Sequence, residues 1–119
     1  MAAQKKIFSD YGWDTKLEWQ VWIPGIVPGI TAACAAFSTP SDGILTAVPV
    51  YHPFHLVAGW LNHPLHTFSM VEVAGRWTFD FIAFEAALQK GPKVFLFCNP
   101  HNPGGTVFTA DEITEIKLL

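Results

Sequence analysis

The sequence predicts an α/β protein with a mainly parallel sheet, because short apolar runs rich in β-branched residues alternate with helical patterns. Two of these runs, residues 44–50 and 94–98, are almost continuously apolar, which is typical of strands covered on both faces. Half of the 119 residues are hydrophobic, so the apolar mass suffices for one folded unit over residues 1–119.

Four strands are predicted, at residues 19–23, 44–50, 68–73 and 93–98. The third run places Ser69 and Glu72 among apolar residues, so we expect it nearer an edge of the sheet. Strands of this length, separated by helices, favour parallel pairing through crossover connections.

Four helices are predicted, at about residues 28–38, 53–61, 79–89 and 109–119. Pro28 and Pro53 suit the first turn of a helix, where a missing N–H costs nothing. Gly91 is a stop signal beyond the third helix. Thr109-Ala110-Asp111-Glu112 fits a capping box at the start of the fourth. Since that helix reaches Leu119 without a stop signal, we expect the chain to be a piece of a longer protein.

Composition and charge exclude several classes of function. The net charge is −3 and no basic cluster exceeds Lys5-Lys6, which argues against nucleic acid as a partner. Residues 19–40 carry no charge, but prolines and glycines interrupt them, which disfavours a membrane span. The N-terminus lacks the apolar core of a secretory signal, so a cytoplasmic location is expected. Cys34 and Cys98 lie far apart and indicate no disulfide framework.

Three segments place unusual residues where a strand meets a helix, and open α/β sheets bind ligands at such junctions. In residues 22–30, a glycine before a helix start can point free N–H groups at a phosphate, or can simply make a turn. In residues 49–54, Tyr51 can offer its ring face to a planar ligand, or can cap the core. In residues 97–105, two Asn-Pro steps and Gly-Gly make a rigid loop, in which Asn102-Pro103 is a candidate cis peptide. Turn chemistry does not explain two asparagines and a histidine in one loop.

The motifs of these segments carry a resemblance. Cys98-Asn99-Pro100-His101-Asn102-Pro103-Gly104-Gly105 resembles the Asn-Pro-x-Asn-Pro-Gly loop of fold-type I pyridoxal-phosphate enzymes. Residues 22–30 and 49–54 resemble the cystathionine beta-lyase (maltose-regulon modulator type) branch of the aminotransferase class I and II superfamily. The resemblance covers essentially the whole chain in order. It implies the central part of a large pyridoxal-phosphate domain, a three-layer sandwich.

Roles for single residues follow from the resemblance. It implies that backbone amides around Gly25, Ile26 and Val27 hold the phosphate of pyridoxal 5′-phosphate, that Tyr51 stacks on its ring, and that Asn102 donates to its phenolic oxygen. It further implies an amino-acid substrate and a homo-oligomer. A truncated sheet would also expose apolar surface and an open edge, so we expect self-association.

The groups that do chemistry in the family have no counterpart in this chain. The lysines at 5, 6, 16, 90, 93 and 117 all lie outside the family's context for the lysine that bonds to the cofactor. Arg76, the only arginine, is expected to be a solvated or packing residue in a Gly75-Arg76-Trp77 turn. The resemblance therefore implies a fragment of an aminotransferase or carbon–sulfur β-lyase. We expect it to bind the cofactor weakly or not at all, to be inactive alone, and to hold no catalytic residue.

Two alternatives were weighed. His52, His55, His63 and His66 raise the possibility of a zinc module, but the prolines that follow two of them indicate turns at opposite ends of one helix. Those ends would lie about 16 Å apart, too far for one site, so no metal site is predicted. The other alternative is a non-catalytic α/β module for binding or assembly.

Overall fold

The computed structural model describes residues 2–118 and contains a four-stranded sheet with strand order β3-β2-β1-β4. The strands are β1 (Gly43–Val48), β2 (Leu65–Val73), β3 (Arg76–Phe79) and β4 (Pro92–Leu96). The helices are α1 (Ala2–Tyr11), α2 (Ile26–Phe37), α3 (Pro53–Trp60), α4 (Phe81–Leu88) and α5 (Ala110–Leu118), with a 3-10 helix at Leu17–Trp19. The predicted α/β fold class is confirmed.

Three of the four strands run parallel. β1 pairs in parallel with β2 on one side and with β4 on the other, whereas β2 and β3 form an antiparallel hairpin. The hairpin turns at Ala74 and Gly75, whose positive φ angles of 50° and 79° suit a tight two-residue turn. Since β3 was not predicted, the position expected for residues 68–73 needs correction: β2 lies one strand in from the edge.

Helices cover both faces of the sheet. Side chains alternate along β1, so Leu45 packs toward a core cluster that contains Phe84 of α4. Ile44 packs on the other face, in a cluster that contains Cys34 of α2 and Val57 of α3. β1 is therefore buried on both faces as predicted, while β4 is only partly buried.

Six phenylalanines form an aromatic cluster on the α4 face: Phe68, Phe79, Phe84, Phe95, Phe97 and Phe108. The Phe97 and Phe108 ring centroids lie 5.0 Å apart, and Phe108 lies 4.7 Å from Phe79. Aromatic pairs at such separations stabilise beyond their buried area. The cluster therefore anchors both ends of the loop that follows β4.

The prediction of a strand at residues 19–23 is wrong. Residues 17–19 form a 3-10 helix and residues 20–23 belong to no strand. The Val21 and Trp22 side chains are 79% and 74% exposed, and no neighbouring strand pairs with them within residues 2–118. An apolar run becomes a strand only where a partner strand satisfies its backbone. Helix α1, which buries none of its residues, was not predicted.

The four predicted helices are present with shifted boundaries. α2 begins at Ile26, so Pro28 still lies in its first turn. α4 begins at Phe81 because Asp80 caps it, its Oδ1 accepting the Ala83 N–H at 3.0 Å, and because Phe79 belongs to β3. α5 is described as far as Leu118, and Leu119 lies outside the described residues. No helix within residues 2–118 combines the length and apolar character needed to cross a membrane.

The predicted capping box of α5 is present and has further partners. The Thr109 Oγ1 accepts the Glu112 N–H at 3.2 Å, and Glu112 Oε2 accepts the Thr109 N–H at 2.7 Å. The Arg76 guanidinium donates to both Glu112 carboxylate oxygens, at 2.7 and 2.8 Å, and Thr78 Oγ1 donates at 2.7 Å. With Arg76 as the main cause, these bonds lower the pKa of Glu112 from 4.5 to about 2.

This network corrects the expectation for Arg76. The residue begins β3 rather than occupying the turn, and it also donates to the Val107 carbonyl at 3.0 Å. Its partner Glu112 is 36 positions away in the sequence. Arg76 thus ties the hairpin edge of the sheet to α5 and to the loop before it.

Candidate cofactor site

The three segments singled out in the sequence lie at the same edge of the sheet. β1 and β4 are parallel neighbours, so the segments that follow them, residues 49–52 and 97–109, leave from one edge. α2 packs against β4, and its carboxyl end connects through residues 38–42 to the start of β1. The amino end of α2, with Gly25, therefore points toward the same edge as the two loops.

The amino end of α2 has the features of an anion site. Gly25 is the N-cap residue at φ 136°, a conformation that residues with a side chain rarely adopt, and it offers no side-chain cap. The N–H groups of the first turn have no partner inside the helix, so those of Ile26 and Val27 are available. The first turn holds no acidic residue. A phosphate would meet N–H donors and the positive end of the helix dipole here.

Tyr51 follows β1 as a half-buried side chain. Its ring lies edge-on to Phe54, with centroids 6.1 Å apart and planes at 71°. It also packs against the cluster that holds Cys34 and Val57. Packing on one side fixes the ring orientation, so the rest of the ring can serve as a rigid apolar platform.

The two asparagines of the loop after β4 differ in their contacts. Asn99 Oδ1 accepts the Phe108 N–H at 3.2 Å, so its amide already holds the loop closed. Asn102 is exposed, and its side-chain amide has no hydrogen-bond partner among residues 2–118. Its own backbone N–H donates to Cys98 Sγ at 3.4 Å. The Asn102-Pro103 peptide bond is cis, as predicted, and so are Asn99-Pro100 and Val48-Pro49.

His101 joins this loop to the segment that follows β1. The ring is only 3% exposed, and its Nε2 lies 3.0 Å from the Pro49 carbonyl oxygen. Its Nδ1 accepts the Gly104 N–H at 3.2 Å. Burial lowers the pKa of His101 below its usual 6.5, against a smaller raising effect of the Pro49 bond. The structure thus brings the Tyr51 and Asn102 segments into direct contact.

The lysines are placed away from this edge wherever the sheet fixes their position. All six are exposed. Lys90 and Lys93 lie at the amino edge, just before and at the start of β4, and Lys117 lies at the far end of α5. Lys6 pairs with Asp10 at 2.8 Å, and the Lys16 Nζ lies 5.5 Å from the Trp19 ring centroid.

The histidines are dispersed over separate elements. The His52 and His55 rings lie 6.5 Å apart at the start of α3, whereas His66 belongs to β2. His63 is buried, with Nδ1 3.4 Å from Ser38 Oγ. In the described part of the chain, no three His, Cys, Asp or Glu side chains gather as metal ligands would. Cys34 and Cys98 are both free thiols.

Comparison with known proteins adds two solved structures. Cystalysin from Treponema denticola, solved with pyridoxal 5′-phosphate, is 33% identical with a TM-score of 0.89, over 97% of this chain and 29% of its own. A putative aminotransferase from Clostridium difficile 630, also solved with the cofactor, is 29% identical with a TM-score of 0.87, over 97% of this chain and 30% of its own. The folds agree over nearly all of this chain.

Sequence comparison points the same way. Cystathionine beta-lyase PatB of Bacillus subtilis is 35% identical over 112 residues, which are 92% of this chain and 28% of that protein. The chain therefore spans between a quarter and a third of the length of such relatives. The model of the family described as aminotransferase class I and II matches residues 2–119. The chain belongs to the aminotransferase class I and II family.

Proposed function

We propose that this chain forms the cofactor-holding part of a pyridoxal-phosphate enzyme that acts on amino acids, by transamination or by β-elimination of a carbon–sulfur bond. The family and its solved neighbours indicate pyridoxal 5′-phosphate as the cofactor. The observation that carries the proposal is that an uncapped helix start, a fixed tyrosine ring and an asparagine amide all face one edge of the sheet. A phosphorylated aromatic ring needs these three kinds of contact.

Each group has a distinct task in this proposal. The N–H groups at Gly25, Ile26 and Val27 bind the phosphate, where the helix dipole adds favourable potential. Tyr51 packs against the ring and excludes water from one of its faces. The Asn102 amide donates to the ring's phenolic oxygen. When bound, the cofactor supplies an electron sink for the bonds at the amino acid's α-carbon.

The remaining chemistry must come from outside residues 1–119, and we propose that the chain alone is inactive. The lysines placed by the sheet lie away from the three cofactor contacts. Arg76 is engaged in a bidentate pair with Glu112, so it is not free to bind a substrate carboxylate. On this view residues 1–119 are a single unit, the central part of a large domain, and binding of the cofactor to it is weak.

We also propose that the chain self-associates, in the cytoplasm. A cavity of about 390 Å³ near the N-terminus is lined mainly by apolar residues, among them Trp13, Trp19 and Trp22. These tryptophans are between 57% and 74% exposed, and large apolar patches of this kind mark association surfaces. Sedimentation velocity should show a species larger than the monomer. A strictly monomeric chain would contradict self-association.

The experiment that separates the proposal from a non-catalytic assembly module begins with the coding sequence. A reading frame that continues past Leu119 into a strand with an aspartate and then a Ser-x-x-Lys segment supports the enzyme; a true stop codon with no lost frame supports the module. With the 119-residue chain, treatment with cofactor and borohydride should label no single lysine selectively. Selective, stoichiometric labelling of one lysine would contradict the inactivity of the chain.

A further inference from the structure

The loops that carry Tyr51 and Asn102 follow different strands, so their separation depends on what joins them. His101 provides a direct hydrogen bond between them, to the carbonyl of Pro49, across 52 positions of sequence. Its ring packs edge-on to Phe108, with planes at 84°, and its backbone is fixed by bonds to Thr106 and Gly105 at 2.7 Å each. The ring is therefore a fixed part of the edge rather than a mobile side chain.

The partners of the two ring nitrogens define the proton's position. A carbonyl oxygen only accepts, so Nε2 must carry the hydrogen toward Pro49. A backbone N–H only donates, so Nδ1 must be bare toward Gly104. Only the neutral imidazole with its proton on Nε2 satisfies both bonds.

We propose that His101 is a positioning residue that, as this neutral tautomer, holds the Asn102 loop against the Tyr51 loop and so fixes the spacing of the two groups assigned to the cofactor ring. The proposal rests on the proposed function for its consequence, but not for the hydrogen bonds themselves. The space around the ring supports it: a methyl group at Gly104 would lie 2.7 Å from Nδ1 and 3.1 Å from Trp77.

Acid should release this link. Protonation of Nδ1 would turn its hydrogen toward the Gly104 N–H and break that bond. The lowered pKa of His101 comes from burial and the Pro49 carbonyl; the other titratable groups nearby, Cys98 in its own loop and Tyr51 and His52 in the facing loop, are not among its causes, and neither are Arg76 and Glu112 on β3 and α5. Because the folded chain favours the neutral ring, the stabilisation is complete above pH 6.5 and is lost as the pH falls through the lower folded-state pKa.

The first test uses the unmodified 119-residue chain and needs no cofactor. Long-range proton–nitrogen NMR of the His101 ring should show a bare Nδ1, a protonated Nε2 and a titration midpoint below 6.5. A proton on Nδ1, or a midpoint at or above 6.5, would overturn the proposal.

The second test compares two variants by NMR titration with pyridoxamine 5′-phosphate, which cannot attach to lysines. His101→Asn keeps an acceptor near the Gly104 N–H but cannot reach Pro49, whereas the amide nitrogen of His101→Gln can. We expect His101→Asn to weaken binding about fivefold, as loss of one inter-loop hydrogen bond would, and His101→Gln to restore most of it. The same exchange at the amino edge, His66→Asn, should leave affinity unchanged.

Several results decide the proposal. Equal affinities for His101→Asn and the unmodified chain, or no rescue by His101→Gln, would overturn it. Below pH 6.5 the unmodified chain should lose affinity relative to His101→Gln, which has no ring to protonate, and a constant ratio would contradict the link. If the unmodified chain binds no pyridoxamine 5′-phosphate, the proposed function fails, while the tautomer measurement still decides the role of His101.

Discussion

Replacing Glu112 by glutamine should destabilise the fold by removing the charge at the centre of the network between β3 and α5. The carboxylate accepts from Arg76, Thr78 and Thr109 at 2.7–2.8 Å while its side chain is 17% exposed. A pKa lowered from 4.5 to about 2 sets an upper limit of roughly 3 kcal/mol, at about 1.4 kcal/mol per pH unit. Since the Arg76 side chain is 40% exposed, solvent screening reduces the expected loss to about 1–2 kcal/mol.

The pH dependence gives this prediction a sign. The folded chain lowers the pKa of Glu112, so the stabilisation is complete above pH 4.5 and is lost as the pH falls toward about 2. Urea unfolding of Glu112→Gln and of the unmodified chain should therefore differ most near pH 7 and converge in acid. Glu115→Gln, an exposed exchange on the same helix, is the control. Equal losses for both variants, or a difference that persists unchanged to pH 2, would refute the reasoning.

Three further predictions concern single side chains, each measured by urea unfolding. Gly104→Ala should cost about 1–3 kcal/mol, because its methyl group would lie 2.7 Å from an imidazole nitrogen, whereas Gly59→Ala meets no atom within 4 Å and should not destabilise. Thr109→Ala should cost about 1 kcal/mol through loss of the capping bond; no change would contradict the capping box. Asn99→Ala should lower stability while Asn102→Ala should lower only cofactor affinity, and the reverse pattern would exchange their roles.

Much of the fold could be predicted because it follows from local patterns. The continuous apolar run of β1 predicts a strand buried on both faces, and the structure buries it there. The helix starts at Pro53 and Thr109 follow from chemistry within one turn. By contrast, β3 has only four residues, and its pairing depends on a turn of two residues with positive φ, one of them Ala74. Local propensity gives no signal for alanine in that conformation.

The apolar residues 19–23 illustrate the opposite error. Their composition suits a strand, but strand formation also requires a neighbour, and among the described residues none is paired with them. Sequence pattern alone cannot show whether an apolar run will be buried or, as with Trp22, exposed. The prediction failed because it treated hydrophobicity as evidence of burial.

The candidate site could be located from the sequence but not resolved into roles. Its three segments follow from strand-to-helix junctions and from the family resemblance. Which asparagine closes the loop depends on Phe108, and the partner of His101 is Pro49, 52 positions away. Such contacts are set by tertiary packing, so the crowding of polar residues in the loop was the only sequence signal for them. The pairing of Arg76 with Glu112 escaped prediction for the same reason.

The central claim is that the edge formed by the α2 start, Tyr51 and Asn102 holds a phosphorylated pyridine ring. The most direct measurement is a proton–nitrogen NMR titration of the 119-residue chain with pyridoxamine 5′-phosphate, with inorganic phosphate as the control. We predict weak binding, in the range of about 1 mM, with the largest shifts at the Gly25, Ile26 and Val27 amides, near Tyr51 and at the Asn102 side chain. Phosphate alone should shift only the three amides. No shifts up to about 10 mM, or shifts confined to other parts of the chain, would contradict the claim.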